Sequence, residues 1–226
     1  GQTPEERSEN TDQRIHCDYP NHTLTHPPQW DQPEAVEIII YLSEEAACNG
    51  STAVVPRQGP EDRAYRWPIV DTPGVAGLKY VDDKHKAERY LRDELPDAAI
   101  FRENELYARE VKTRYRVGDI LFYRHDTWHR GTPVKQGALR LVQNMTFKKA
   151  SSDWVSVLHT GWAWSLYRSD HGPEKMIAGL DPDQRSVLGF PSPGHEYWTE
   201  ETVLAVQARY APFGIDMEPY KIALSK

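Results

Sequence analysis

The sequence predicts a mainly β core with flanking helices. Three observations carry this. Residues 36–42, 52–55 and 139–147 are short runs rich in Val, Ile, Leu and Thr, of strand rather than helix length. Residues 110–117 alternate strictly, Val111, Thr113, Tyr115 and Val117 against Glu110, Lys112, Arg114 and Arg116. Helical spacing is confined to residues 83–95 and 199–210.

In chain order, residues 36–42 follow Pro33 and read as a buried strand. Asn49-Gly50 signals a turn, and residues 52–55 read as a second strand stopped by Pro56, so the two are expected to be neighbours. Residues 57–77 hold Gly59, Pro60, Pro68, Pro73, Gly74 and Gly77 with no sustained period, the composition of a loop or lid. Ala87, Tyr90, Leu91 and Leu95 recur at helical spacing, with Asp82 or Asp83 as the N-cap and Pro96 beyond the end. The alternation at 110–117 predicts a half-buried strand. Gly118-Asp119 turns the chain into a further strand at 120–123, and the run at 139–147 follows a connector containing Gly131, Pro133 and Gly137. Beyond Phe147 the character changes: Trp154, Trp162, Trp164 and Tyr167 crowd one region, and Val203, Val206 and Tyr210 mark a helix. The organisation expected is one domain over residues 1–226, with a core at about 14–149 and a helical or loop tail at 150–226.

Composition narrows the function. Seven Trp, twelve Tyr and five Phe supply core material that a disordered chain lacks. A formal charge of -7 gives no broad basic surface for a phosphate backbone, so a small-molecule substrate is expected and nucleic acid is not. No apolar run approaches the roughly 20 residues that cross a bilayer, and no membrane partner is expected. Two cysteines, Cys17 and Cys48, form neither a disulfide framework nor a structural zinc pattern, which fits a reducing, cytoplasmic compartment. Oligomeric state is not readable from the sequence.

The chemistry-bearing residues fall in two places. In an extended segment His16 and Asp18 point to one face and Cys17 to the other, so one face offers a nitrogen and an oxygen donor. Far downstream come His129 and, eleven residues later, Arg140. Two neutral imidazoles and a carboxylate make a facial set on iron(II) that leaves positions open. An arginine can meet a dicarboxylate with two parallel charge-assisted hydrogen bonds, as lysine cannot. His125 lies four residues before His129, would share its face on one strand and competes for the ligand role, with a local hydrogen bond as its alternative task.

Taken together, His16-Cys17-Asp18, Tyr41-Leu42-Ser43, Asn49-Gly50-Ser51-Thr52-Ala53-Val54-Val55-Pro56, Gly118-Asp119 with Phe122, His129, Gly137 and Arg140 resemble the phytanoyl-coenzyme A dioxygenase family of iron(II) and 2-oxoglutarate-dependent oxygenases. The resemblance spans roughly residues 14–148. It implies a double-stranded β-helix, the jelly-roll or cupin-like core. It also implies iron(II) on His16, Asp18 and His129, 2-oxoglutarate paired through Arg140, dioxygen as co-substrate, and hydroxylation of a small molecule with release of succinate and carbon dioxide. Asp18 favours hydroxylation over halogenation, because related halogenases lack that carboxylate. Some relatives place a hydroxyl two residues after the distal His; here that residue is Gly131, and Thr132 is the replacement candidate for co-substrate binding. The wording Pro56-Arg57-Gln58-Gly59 departs from the family's Pro-Gly-Ser-His. The family also carries a longer portion before its His-x-Asp strand, so this sequence is expected to begin within a longer protein. Two alternatives remain open: a metal-dependent jelly-roll enzyme that needs no 2-oxoglutarate, and a catalytically silent small-molecule-binding module.

Overall fold

The computed structural model describes residues 10, 12–18, 24–26, 28, 32, 34–66, 69–152 and 170–225. The Trp-rich stretch at 154–167 lies outside them. Two compact units divide the chain: Gly1–Cys17, Val36–Gly59 and Val81–Thr146 form the first, and Asp18–Ala35, Pro60–Tyr80 and Phe147–Lys226 the second.

In the first unit, strand β1 (Ala35–Tyr41) is the centre of a three-stranded sheet, between β4 (Ile120–Arg124) and β6 (Val142–Lys148). β1 and β4 run antiparallel with Glu37 opposite Tyr123 and Ile39 opposite Leu121. Bonds from Leu42 N to Leu141 O and from Lys149 N to Glu34 O show that β6 is antiparallel too. One face of β1, Glu37, Ile39 and Tyr41, is buried, as the period of two requires. The other face is less covered, and Ile120 and Phe122 beside it are exposed.

The second sheet centres on β2 (Thr52–Val54), between β3 (Val111–Lys112) and β5 (His129–Gly131), again antiparallel. Side chains of the two sheets meet: the Tyr41 hydroxyl donates to Thr52 Oγ1 at 2.9 Å, and the Tyr123 ring lies 4.8 Å from that of His129. Ile39, Tyr41, Cys48 and Tyr115 form the apolar cluster here, with Leu121, Tyr123 and Val142 packed against it.

Helix α2 (Lys84–Glu94) closes this unit as the periodicity predicts, with Asp83 capping through Lys86 N at 2.8 Å and burying Ala87, Glu88 and Leu91. Pro96 opens α3 (Pro96–Phe101), which runs on through a wider π turn, Arg102–Leu106, into a short 3-10 turn at Tyr107–Arg109.

Three expectations change. First, β1 and β2 do not pair. Residues 43–51 hold a one-turn helix, α1 (Glu45–Cys48), and two positive-φ residues, Asn49 (φ 56°) and Gly50 (φ 74°), which carry the chain from one sheet to the other. Second, the alternating segment 110–117 yields only the two-residue β3. Pairing stops once Thr113 N reaches Thr52 O, and Val111 and Val117 are exposed while Tyr115 is buried. Third, "mainly β" overstates the strands. Helix covers about 36% and strand 17% of the described residues, arranged as two small antiparallel sheets plus helices.

The second unit is built on helices α4 (Gly172–Gly179), α5 (Pro182–Val187), α6 (Glu200–Tyr210) and α7 (Glu218–Leu224). Thr199 and Thr202 form a reciprocal capping box at the start of α6, the helix read from residues 199–210. Its core joins Phe190, Tyr197, Trp198, Val206, Tyr210 and Tyr220. Arg185, 2% exposed, donates to the carbonyls of Ile177 and Ala178 in the last turn of α4, where carbonyls run out of intrahelical donors, and to that of Asp216 ahead of α7. Residues 60–80, which take in most of the 57–77 stretch read as loop or lid, belong to this unit, with Ala64, Tyr65, Ile69 and Val75 buried. No helix among the described residues is long and apolar enough to cross a membrane.

Candidate metal centre

His16 and His129 face each other as a hydrogen-bonded antiparallel bridge. His16 N donates to His129 O at 2.9 Å, and His129 N to His16 O at 2.8 Å. Such a pair sets the two side chains on one face, and the ring centroids are 4.4 Å apart. Asp18, two residues on in the same extended segment, joins them: one ligand atom from each of the three lies within 4.8 Å of the others. Metal bonds of about 2.1 Å hold adjacent donors roughly 3 to 4 Å apart, so a small side-chain closure would be needed for the three to share an ion.

The imidazoles are oriented for this task. His16 Nδ1 lies 3.1 Å from Arg14 O, and His129 Nδ1 lies 2.9 Å from Thr127 O. A carbonyl only accepts, so each Nδ1 carries the proton and each Nε2 presents its lone pair. Two neutral Nε2 donors and one carboxylate therefore suit a divalent transition metal. Cys17 points the other way, as the period of two requires: it is buried, with Sγ bonded to Asp126 O at 3.1 Å. Cys48 is a buried thiol as well.

His125, the rival ligand, is engaged elsewhere. Its Nδ1 lies 2.5 Å from Glu37 Oε1, and the other Glu37 oxygen accepts from Thr146 Oγ1 at 2.6 Å. The group of side chains that could hold a metal ion forms with His129 and does not include His125.

Much of the first unit fixes the segment that carries His16. Gln13 N donates to Gly131 O at 3.2 Å, Arg14 N to Asp82 O at 2.7 Å, and Lys84 N to Asp12 O at 2.8 Å. Ile15 is gripped at both backbone groups: its N–H donates to Tyr107 Oη at 3.1 Å, and its carbonyl accepts from Arg102 Nη2 at 2.9 Å. Arg102 is 2% exposed and paired with Glu88, which also accepts from Tyr107 at 2.7 Å. Burial, the largest influence on Tyr107, pushes its phenol well above the ordinary range, and Glu88 adds to this against the pull of Arg102. Beside His129, buried Arg130 donates through Nε and Nη2 to both Glu110 oxygens at 2.7 Å and through Nη1 to Asp12. The two polypeptide segments bearing the imidazoles are thus tied by charge as well as by backbone pairing.

Arg140 and Thr132 lie at the other end of β2. Arg140 Nη1 donates to Gly50 O, and a Cβ added to Gly50 would meet Arg140 Cδ at 3.2 Å and Val134 Cγ1 at 2.9 Å. This close approach, with φ at +74°, is why the turn needs glycine. Among the described residues no carboxylate pairs with Arg140. Its charge is felt by Tyr115, whose phenol burial and a Cys48 contact push upward while Arg140 pulls it back. Thr132 uses its hydroxyl hydrogen on Ser51 O at 2.7 Å, and its backbone N–H reaches the same carbonyl at 3.1 Å. The structure thus brings His16, Asp18 and His129 together and sets Arg140 and Thr132 around Gly50 and Ser51.

Sequence reasoning missed Tyr123, whose hydroxyl is 3.5 Å from His129 Nε2. In sequence it is one aromatic among twelve tyrosines, inside a strand, and only the packing of β4 against β5 singles it out.

A scan of protein-family models finds none that matches this chain, and no curated protein matches it.

Proposed function

We propose that this chain is an iron(II) and 2-oxoglutarate-dependent oxygenase that hydroxylates a small molecule, and that its two facing sheets are layers of a jelly-roll core. The observation that carries the reading is the convergence of His16, Asp18 and His129, with both imidazoles held to present Nε2. Three protein donors leave room on a six-coordinate metal for a chelating co-substrate and dioxygen. When bound there, iron with 2-oxoglutarate and dioxygen supplies the oxidation that places one oxygen atom in the substrate and leaves succinate and carbon dioxide.

The chain's own residues bind and orient. His16, Asp18 and His129 hold the metal. Arg140, with no carboxylate partner among the described residues, is suited to take the distal carboxylate of 2-oxoglutarate by paired hydrogen bonds. Tyr41, Tyr115 and Tyr123, on or packed against the inner face of the first sheet, limit water around the reacting groups.

Anaerobic addition of iron(II) and 2-oxoglutarate should give a weak visible charge-transfer band, and admission of oxygen with substrate should release succinate. Arg140→Met should lose the 2-oxoglutarate band while keeping the metal. Iron binding with no band, and no succinate released, refutes the co-substrate assignment.

A further inference from the structure

We infer that Tyr123 is a binding residue of the metal centre: its phenol donates a hydrogen bond to an anionic oxygen ligand that completes the metal's coordination. The inference rests on the metal-site reading above and extends it to a residue outside the ligand set. Its hydroxyl lies 3.5 Å from His129 Nε2, the nitrogen that faces the metal because Nδ1 is spent on Thr127 O. A metal held there would lie about 2.1 Å from that nitrogen, which would put the phenol within the shell where exogenous ligands bind. The ring is held by its surroundings. It packs on the His129 ring at 4.8 Å, tilted by 53°, and β4 sets it opposite Glu37, whose carboxylate is tied to His125 and Thr146.

The chemistry favours donation to an anion. A phenol is neutral at ordinary pH and carries one donor hydrogen, and a metal-bound carboxylate oxygen is a strong acceptor. A phenylalanine would fill the same space between the sheets. The hydroxyl therefore adds a polar function at a β4 position that reaches His129.

The test uses the whole chain loaded with cobalt(II), whose visible bands report ligand exchange without turnover, and oxalate as a chelating dicarboxylate probe. Tyr123→Phe should bind cobalt(II) within about twofold of the parent and oxalate about tenfold more weakly, with the oxalate-induced band displaced. Unchanged oxalate affinity overturns the inference. So does a tenfold loss of cobalt(II) affinity, which would make Tyr123 a metal ligand, and so does a parent protein that takes up no cobalt(II). If Tyr123→Phe fails to fold, 3-fluorotyrosine placed at position 123 reads the same contact. Its fluorine resonance should move when oxalate is added to the zinc(II)-loaded protein, and a stationary resonance refutes the contact. Oxalate needs neither iron nor 2-oxoglutarate specificity. A Tyr123 effect on oxalate with no response to 2-oxoglutarate would thus sink the co-substrate proposal and leave this one standing.

Discussion

Replacing Arg130 by methionine keeps most of the buried aliphatic length and removes the guanidinium beside His129. The side chain is 3% exposed and gives two 2.7 Å bonds to Glu110, itself 13% exposed, and one to Asp12, which is 26% exposed. Burial alone would lower the guanidinium's proton affinity, but the bonds and charges of Glu110 and Asp12 outweigh it and hold the pKa above its ordinary value. Removing one partner of a buried pair costs about 3–5 kcal/mol, because the other charge stays desolvated. Water can reach Asp12 and offset part of its loss, so a value near 3 kcal/mol is expected. At roughly 2–4 °C per kcal/mol for a chain of this size, the melting midpoint should fall by about 6–12 °C. Urea unfolding of the parent, Arg130→Met, Glu110→Gln and the double variant measures this. The double variant should recover part of the loss, since the stranded carboxylate is gone. A cost below about 1 kcal/mol, or strictly additive single effects, would refute the role given to this pair.

Two further outcomes follow from packing around the site. Tyr107→Phe strips the donor from Glu88 and the acceptor from Ile15 N, at about 1–3 kcal/mol, and should weaken metal binding because Ile15 precedes His16; full retention of both stability and metal affinity would contradict the tether. Gly50→Ala places a Cβ 2.9 Å from Val134 at a positive φ and should cost about 1–2 kcal/mol while displacing Arg140, read as weaker 2-oxoglutarate binding with unchanged metal affinity. The buried phenols make stability depend on alkaline pH. Burial pushes Tyr210 up to about 12 and raises Tyr107 and Tyr115 as well, so the folded pKa values exceed the unfolded value near 10. That stabilisation is complete below pH 10 and is lost as pH rises from there. Denaturant midpoints should be insensitive to these groups up to pH 9 and drop between pH 10 and 12, and a flat profile across that range would refute it.

What was legible in the sequence and what was not divide by range of interaction. Helix α2 and helix α6 were readable because their caps, Asp83 and Thr199, and their periodicity are local. The candidate ligand group was readable because His16 and Asp18 share one face of an extended segment and the family resemblance pointed to His129 as the third member. His125 lost the competition for a reason invisible in spacing: Glu37, 88 residues away, takes its Nδ1. The alternation at 110–117 overstated its strand, because β-pattern registers which side chains face inward and says nothing of how far a partner strand extends. The expected β1–β2 hairpin failed at Asn49 and Gly50, whose positive φ values serve a crossover between sheets as well as a tight turn. Arg130 with Asp12, 118 residues apart, and Tyr123 with His129 across the sheets are contacts of tertiary packing that no local pattern encodes.

Metal content of the purified, metal-loaded chain tests the central claim most directly, compared across the parent, His16→Ala, Asp18→Ala, His129→Ala and His125→Ala. One divalent transition metal per chain is expected in the parent and in His125→Ala, with loss of binding in the other three. Retention of full metal content in Asp18→Ala and His129→Ala, or its loss in His125→Ala alone, would contradict the assignment.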